Sequence, residues 1–138
     1  MFSKIEKTNY PPHEKPVMVW DGECGFCRYW ITNWKQKTTD RIMYKTFQEV
    51  AGNFPDIPLK EFKKASRLIE TNGSVFSGPD SAFRIFTYFE KENSFWHKFY
   101  SKHKWFAILS DHSYNLIAKN RNFMFKLTKI FFGNNPNA

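Results

Sequence analysis

The feature that most constrains the fold of this chain is the spacing of two cysteines, Cys24 and Cys27, which are the only cysteines among 138 residues. A run of four apolar residues, 17–20, leads into the pair. Apolar side chains and sulfur then recur with the i, i+3, i+4, i+7 spacing of one helical face, at Cys27, Trp30, Ile31 and Trp34. The pattern predicts a strand that ends just before the cysteines and a helix over about 24–37.

The start of a helix favours a thiolate at the first cysteine. Backbone N–H groups and the helix dipole stabilise an anion there, so we expect Cys24 to be partly exposed and to act as the attacking thiolate. We expect Cys27, one turn further on, to be buried on the apolar face and to resolve the mixed disulfide. The pair therefore predicts a redox-active disulfide.

Two other uses of the cysteines stay open at this point. Both thiols could be inert core residues, or they could supply half of a zinc site. A structural zinc site needs four ligands, and the histidines with a compatible spacing, His97 and His103, lie some 70 residues beyond Cys27. The sequence therefore favours a redox pair with no metal and no bound cofactor.

The chain reads as one domain preceded by an arm. Residues 1–15 contain Pro11-Pro12 and show no apolar periodicity, which predicts a flexible N-terminal arm. Residues 16–133 then form a single domain, since a chain of this length can bury one sizeable core. Aromatic residues make up 20% of the chain, with 16 Phe, so we expect a core rich in rings.

Further elements follow from periodicity and turn residues. Strands are predicted at 17–20, 41–47, 66–71 and 74–77, and helices at 24–37, 59–64, from Ser81 onward and over about 94–132. Asn72-Gly73 indicates a hairpin with a type I′ turn, and Ser94 and Ser110 are predicted N-caps. The order β-α-β-α-β-β-α predicts an α/β domain with a thioredoxin-like fold and additional C-terminal helices.

A family resemblance supports this interpretation. The segment Asp21-Gly22-Glu23-Cys24-Gly25-Phe26-Cys27 resembles the D-G-x-C-x-x-C signature of the DCC family, predicted thiol–disulfide oxidoreductases with a thioredoxin-like fold. The blocks 72–82 and 114–121 also resemble that family's hairpin and its Y-x-x-x-A-x-N-R stretch. The resemblance implies a catalytic pair at Cys24 and Cys27, with Gly22, Glu23, Gly25 and Phe26 as a supporting loop.

One departure from thioredoxins narrows the expected substrates. Thioredoxins have a cis-proline before the third strand, facing the cysteines, where it helps to present a peptide. This chain has Lys64-Ala65-Ser66-Arg67 at the corresponding place, with no proline. Broad activity as a protein-disulfide reductase is therefore less expected, whereas the dithiol chemistry is unaffected.

Asp21 has two candidate roles. Its carboxylate could accept the proton of Cys27 when that thiol attacks the mixed disulfide. Alternatively, it could accept N–H bonds within the Gly22-Glu23 turn and shape the loop. A nearby negative charge raises a thiol pKa, so we do not expect Asp21 to activate Cys24.

Four residues outside the motif are further candidates. Asp80 and Ser81, at the start of a helix, could bind the carboxylate of a small thiol such as glutathione or could simply cap the helix. Tyr114 and Arg121 are candidate supporting residues, because a guanidinium near the cysteines would favour the thiolate. Cys-Gly-Phe-Cys also resembles the Cys-Gly-Phe-Ser of cluster-carrying glutaredoxins, which leaves a non-enzymatic iron–sulfur or other metal-binding module as an alternative.

Charge and hydropathy limit the partners. Residues 91–138 hold eight Lys/Arg and two Asp/Glu, so weak contact with an anionic membrane is an alternative role for this basic, aromatic segment. No nucleic-acid motif accompanies the charge. Without a long apolar run or a leader pattern, we expect a cytoplasmic protein. Its partners would be a disulfide-containing protein or small-thiol substrate and an external reductant.

Overall fold

A computed structural model describes residues 2–89, 91 and 93–132 of the chain. A four-stranded sheet lies at its centre, with β1 at Val17–Trp20, β2 at Met43–Thr46, β3 at Arg67–Ile69 and β4 at Val75–Ser77. The strand order is β2-β1-β3-β4. β1 pairs parallel with β2 and antiparallel with β3, and β3 pairs antiparallel with β4. Residue 133, the predicted end of the domain, lies outside the described residues.

Seven helices and one short 3₁₀ segment complete the described fold. They are α1 Gly25–Thr38, α2 Phe47–Val50, the 3₁₀ helix Ala51–Asn53, α3 Leu59–Lys64, α4 Pro79–Phe86, α5 Phe95–Lys102, α6 Lys104–Lys119 and α7 Arg121–Phe132. Up to α4 the order is the predicted one, except that α2 and the 3₁₀ helix are additional, and α5–α7 are the added C-terminal helices. The predicted thioredoxin-like α/β fold with a helical extension is therefore confirmed.

Side chains of β1 alternate between two cores, as the pleat of a strand requires. One core holds Val17, Val19, Phe47, Phe54, Ile57, Phe62, Ile69 and Val75. The other core holds Met18, Trp20, Ile31, Ile42, Leu68 and Ile85. Because both faces of β1 are buried, the strand is held firmly, and its carboxyl end fixes where the cysteine loop begins.

Several local predictions differ from the structure. Gly73 N–H donates to the Glu70 carbonyl at 3.0 Å, and Gly73 has a φ of 89° while Asn72 keeps a negative φ. A type I′ turn needs positive φ at both central residues, so that prediction is wrong, although the hairpin itself is present. The predicted N-cap at Ser110 is also wrong, because Ser110 lies inside α6.

The N-terminal segment predicted to be a flexible arm makes specific contacts over residues 2–8. Phe2 is buried, Thr8 N–H donates to the Gly73 carbonyl at 2.9 Å, and Val75 N–H donates to the Glu6 carbonyl at 2.8 Å. The fully buried Arg67 donates to the Ser3 carbonyl. These contacts involve backbone groups and one buried charged side chain. They therefore could not be predicted from the periodicity of apolar residues.

Candidate redox site

The two cysteines lie where β1 gives way to α1. Cys24 N–H donates to the Asp21 carbonyl at 3.1 Å, which closes a turn after β1. Cys24 is the N-cap of α1, and its Sγ accepts the backbone N–H of Cys27 at 3.1 Å. Both cysteines are free thiols. The strand end and helix start predicted from the sequence therefore bring both sulfurs to the same helix terminus.

The pKa values of the two thiols are shifted in opposite directions. A hydrogen bond from the Cys27 thiol is the largest cause that lowers the pKa of Cys24, to about 6, and the Cys27 backbone N–H and Arg121 lower it further against the effect of burial. Hydrogen bonding to Cys24, burial and the negative charge on Cys24 raise the pKa of Cys27. The arrangement therefore favours one thiolate, on Cys24, with its neighbour protonated.

The exposures of the two cysteines are the reverse of the prediction. Cys24 is only 7% exposed, whereas Cys27 is half-buried. Helix α7 explains the difference, because it packs across the first turn of α1. A Cβ atom at Gly25 would lie 2.8 Å from the Phe125 ring, and Arg121 donates to Asp21 at 3.1 Å. Local periodicity could not anticipate a cover that comes from the far end of the chain.

Both carboxylate oxygens of Asp21 are engaged. Oδ1 accepts the Glu23 N–H at 3.0 Å and the side-chain amide of Gln48 at 3.0 Å. Oδ2 accepts from Arg121, forming an ion pair of 3.1 Å. Arg121 also donates to the Lys63 carbonyl at 3.2 Å. Asp21 thus shapes the turn and orients the guanidinium that lowers the pKa of Cys24.

The remaining motif residues form the loop around the cysteines. The Gly22 N–H donates to Gln48 at 3.1 Å, and its carbonyl accepts from Arg28 at 2.7 Å. Glu23 is exposed, and Phe26 packs edge-on against Trp30. Gln48 and Arg28 therefore support the loop, which the sequence did not predict. Arg28 could have been predicted, because it lies one helical turn after Cys24. Nothing in the sequence around Gln48 indicates its role.

Tyr114 and Ser81 meet at Ser66, just before β3. The hydroxyl oxygen of Tyr114 accepts a hydrogen bond from the Ser66 N–H at 3.0 Å and lies 3.1 Å from the Ser66 hydroxyl oxygen. Burial raises the pKa of Tyr114, so its hydroxyl stays neutral. The Ser66 and Ser81 hydroxyls are 2.9 Å apart. The structure thus places Tyr114 beside the residue that stands where thioredoxins have their proline.

Asp80 and Ser81 do not cap α4 as predicted. The helix begins at Pro79, with Gly78 as its N-cap. Ser81 is fully buried and donates to the Gly78 carbonyl at 2.6 Å, so its hydroxyl is not offered to a ligand. Asp80 lies 2.7 Å from the Nδ1 atom of His97.

The metal-site alternative gains no support from these positions. His97 pairs with Asp80, and His103 packs on Phe99 with ring centroids 4.5 Å apart. In the part of the chain that the structure describes, no group of three His, Cys, Asp or Glu side chains could hold a metal ion. The same described residues contain no helix that is both long and apolar enough to cross a membrane.

A sheet of this order, with two thiols at the helix terminus after β1, defines a thioredoxin-like dithiol domain. A family model described as DCC1-like thiol-disulfide oxidoreductase matches residues 18–127, and the chain belongs to this family. The resemblance seen in the D-G-x-C-x-x-C motif is therefore confirmed. The chain matches no curated protein and no solved structure.

Proposed function

We propose that the protein is a thiol–disulfide oxidoreductase in which Cys24 is the nucleophile and Cys27 is the resolving thiol. The observation that carries this proposal is the placement of Cys24 as the N-cap of α1, where its Sγ accepts the Cys27 backbone N–H at 3.1 Å. Hydrogen bonding to Cys27 lowers the pKa of Cys24 to about 6, whereas the pKa of Cys27 is raised. A thiol with a pKa below the ambient pH is largely ionised, and the thiolate is the form that attacks a disulfide.

The exchange proceeds in two displacements. The Cys24 thiolate attacks one sulfur of a substrate disulfide, forms a mixed disulfide and releases the first substrate thiolate, which takes up a proton. The Cys27 thiolate then attacks the Cys24 sulfur and releases the second. Two electrons and two protons pass from the protein thiols to the substrate, and an external thiol or dithiol protein must restore the reduced pair.

The same contacts supply a switch between the two steps. The hydrogen bond to the Cys24 thiolate and the negative charge of that thiolate are two of the three main causes that raise the pKa of Cys27. Both disappear when Cys24 enters the mixed disulfide, whereas Arg121 remains and lowers the pKa of Cys27. Cys27 therefore becomes easier to ionise once it is needed as the second nucleophile.

We assign Asp21 a positioning role. Both of its oxygens already accept hydrogen bonds, from Glu23 and Gln48 on one side and from Arg121 on the other. Asp21→Asn removes a negative charge that raises the pKa of Cys24, so that pKa should fall while the resolving step keeps its rate. A proton acceptor for Cys27 would behave differently, since its loss would slow the resolving step.

The experiment compares two serine variants with the wild-type protein in the reduction of hydroxyethyl disulfide, with a dithiol as the electron source. Cys24→Ser should abolish turnover, because it removes the attacking thiolate and leaves Cys27 without a second thiol with which to form the internal disulfide. Cys27→Ser should accumulate a mixed disulfide at Cys24 that mass spectrometry detects. Retained turnover in Cys24→Ser, or a mixed disulfide at Cys27 in the wild type, would reverse the assigned roles.

We further propose a cytoplasmic setting. Thiols are kept reduced in that compartment, and a cysteine pair there is more often catalytic than structural. The protein would then receive electrons from a small thiol or a thioredoxin-like protein. Comparing how fast a small thiol and a thioredoxin-like protein reduce the oxidised protein would test which of them donates the electrons.

We also propose contact with an anionic membrane surface. Helices α6 and α7 expose large apolar side chains at helical spacing, at Trp105, Ile108, Leu109, Leu116, Phe123 and Ile130. Exposed lysines flank them, at Lys102, Lys104, Lys119, Lys126 and Lys129. Exposed apolar side chains next to lysines suit the surface of an anionic membrane. Burial of apolar area and attraction between lysines and lipid headgroups both favour binding there.

Vesicle co-sedimentation tests the membrane proposal. The protein should bind vesicles rich in phosphatidylserine and leave neutral vesicles free. Leu109→Glu on α6 should abolish binding, while Leu59→Glu, on the exposed side of α3, should not. Equal binding to neutral vesicles, or equal loss in both variants, would contradict it.

A further inference from the structure

A cleft of about 530 Å³ opens beside the redox pair, between α1, α4 and α6. Cys27 lies in its wall, and the Cys24 Sγ atom is 3.1 Å from the backbone nitrogen of Cys27 at the same end. Pockets for small molecules usually measure about 300–1,000 Å³. The cleft is therefore large enough for a small molecule, and the Cys27 side of the redox pair forms part of its wall.

One face of α1 lines the length of the cleft. Cys27, Trp30, Ile31, Trp34 and Lys37 all contribute to it, and their spacing is that of a single helical face. Cys27 and Lys37 are ten residues apart, which at about 1.5 Å per residue corresponds to about 15 Å along the axis. The cleft is therefore elongated, with a thiol at one end and an ammonium group at the other.

The other walls are mostly apolar. Apolar lining comes from Met18 of β1, Phe86 of α4, Phe89 just after α4 and Ile117 of α6, and polar lining comes from Asn33, Ser66, Asn93 and Tyr114. Lys37 Nζ lies 5.4 Å from the centroid of the Phe89 ring, a cation–π contact that holds the charge at the rim. An occupant must therefore be apolar along most of its length, and an anionic group suits the end that reaches Lys37.

We propose that the cleft binds a low-molecular-weight disulfide whose sulfurs lie at one end of an apolar body and whose carboxylate lies at the other. The inference rests on the proposed function, because it names the substrate of the same dithiol pair. In the exchange, Cys24 and Cys27 form a disulfide with each other, and both sulfurs of the bound molecule leave as thiols. For a cyclic disulfide, the two new thiols stay on one molecule, so the product is a dithiol.

Lipoic acid is a suitable probe, since it carries a five-membered cyclic disulfide on an apolar chain that ends in a carboxylate. Lipoamide is its neutral counterpart, and hydroxyethyl disulfide is a small hydrophilic control. Binding is measured by calorimetry on a Cys24→Ser, Cys27→Ser double variant, which cannot react. We expect lipoic acid to bind about two- to fivefold more tightly than lipoamide, the size of one exposed ion pair, and hydroxyethyl disulfide not to bind measurably.

Two matched pairs of substitutions in the double variant locate the bound molecule. Lys37→Gln should remove the preference for the acid over the amide, whereas Lys35→Gln, two residues earlier on α1 and outside the cleft, should keep it. Ile117→Trp should fill the cleft and weaken binding by about tenfold or more. Leu116→Trp, on the exposed side of the same helix, should not.

Failure of this inference is distinguishable from failure of the proposed function. If the reactive protein reduces hydroxyethyl disulfide but the double variant binds neither lipoic acid nor lipoamide, the cleft is not a substrate site and the inference is overturned. If the double variant binds as expected but the reactive protein reduces no disulfide, the redox assignment is wrong and the binding site stands. Equal effects of Lys37→Gln and Lys35→Gln would overturn the carboxylate orientation.

Discussion

The hydrogen bond from the Cys27 thiol should be the main reason that Cys24 is ionised at neutral pH. The pKa of Cys24 falls from its ordinary value of 9.0 to about 6, a difference that corresponds to about 4 kcal/mol at about 1.36 kcal/mol for each pH unit. A hydrogen bond to a charged group contributes about 1.5–3 kcal/mol. Cys27→Ala removes this donor but keeps the backbone N–H at 3.1 Å, so it should raise the pKa of Cys24 by about one to two pH units.

The ultraviolet absorbance of the thiolate, followed against pH in the reduced protein, measures this change without depending on the access of a reagent to a buried thiol. The wild-type midpoint should lie at about 6, and that of Cys27→Ala at about 7 to 8. Cys27→Ser is the matched control, because its hydroxyl can still donate and should keep the midpoint low. If the midpoint of Cys27→Ala stays at about 6, the Cys27 thiol is not what lowers the pKa of Cys24. The helix terminus and Arg121 would then be the cause.

Two further predictions concern the C-terminal helices. Gly25→Ala places a methyl group 2.8 Å from the Phe125 ring, so it should lower the free energy of unfolding, measured in urea, by about 1–3 kcal/mol. Gly52→Ala is the control, because open space surrounds Gly52, and it should leave that free energy unchanged. Equal losses in the two variants would contradict the close packing of α7 on α1. Tyr114→Phe leaves the Ser66 N–H without its partner and should lower the free energy of unfolding by about 1–3 kcal/mol. An unchanged urea midpoint would show that this hydrogen bond does not stabilise the fold.

Local pattern was sufficient to predict the elements that carry the cysteines. The apolar run at 17–20 matches β1, and the helical spacing after Cys24 matches α1, Gly25–Thr38. Both signals depend on a single strand or helix burying one face, so they are visible within a few residues of sequence. The hairpin at Asn72-Gly73 was predictable from its two adjacent turn residues, although its turn type was not.

Contacts between distant parts of the chain were not predictable in this way. The ion pair between Asp21 and Arg121 joins residues 100 positions apart, and the packing of Phe125 beside Gly25 reverses the expected exposures of the two cysteines. A solvent-facing position on a helix becomes buried when another helix crosses it, and periodicity within one helix carries no information about that crossing. The charge on Arg121 was recognised as useful, but its placement required the fold.

The most direct test of the central claim is the equilibrium between thiols and disulfide at Cys24 and Cys27. The protein is equilibrated in glutathione buffers of increasing oxidised fraction, quenched with acid and examined by peptide mass spectrometry. We expect both thiol hydrogens to be lost together from the peptide 24–27, and a dithiol reductant to restore them. Thiols that stay reduced in excess oxidised glutathione, or glutathione adducts that never resolve to the internal disulfide, would contradict it.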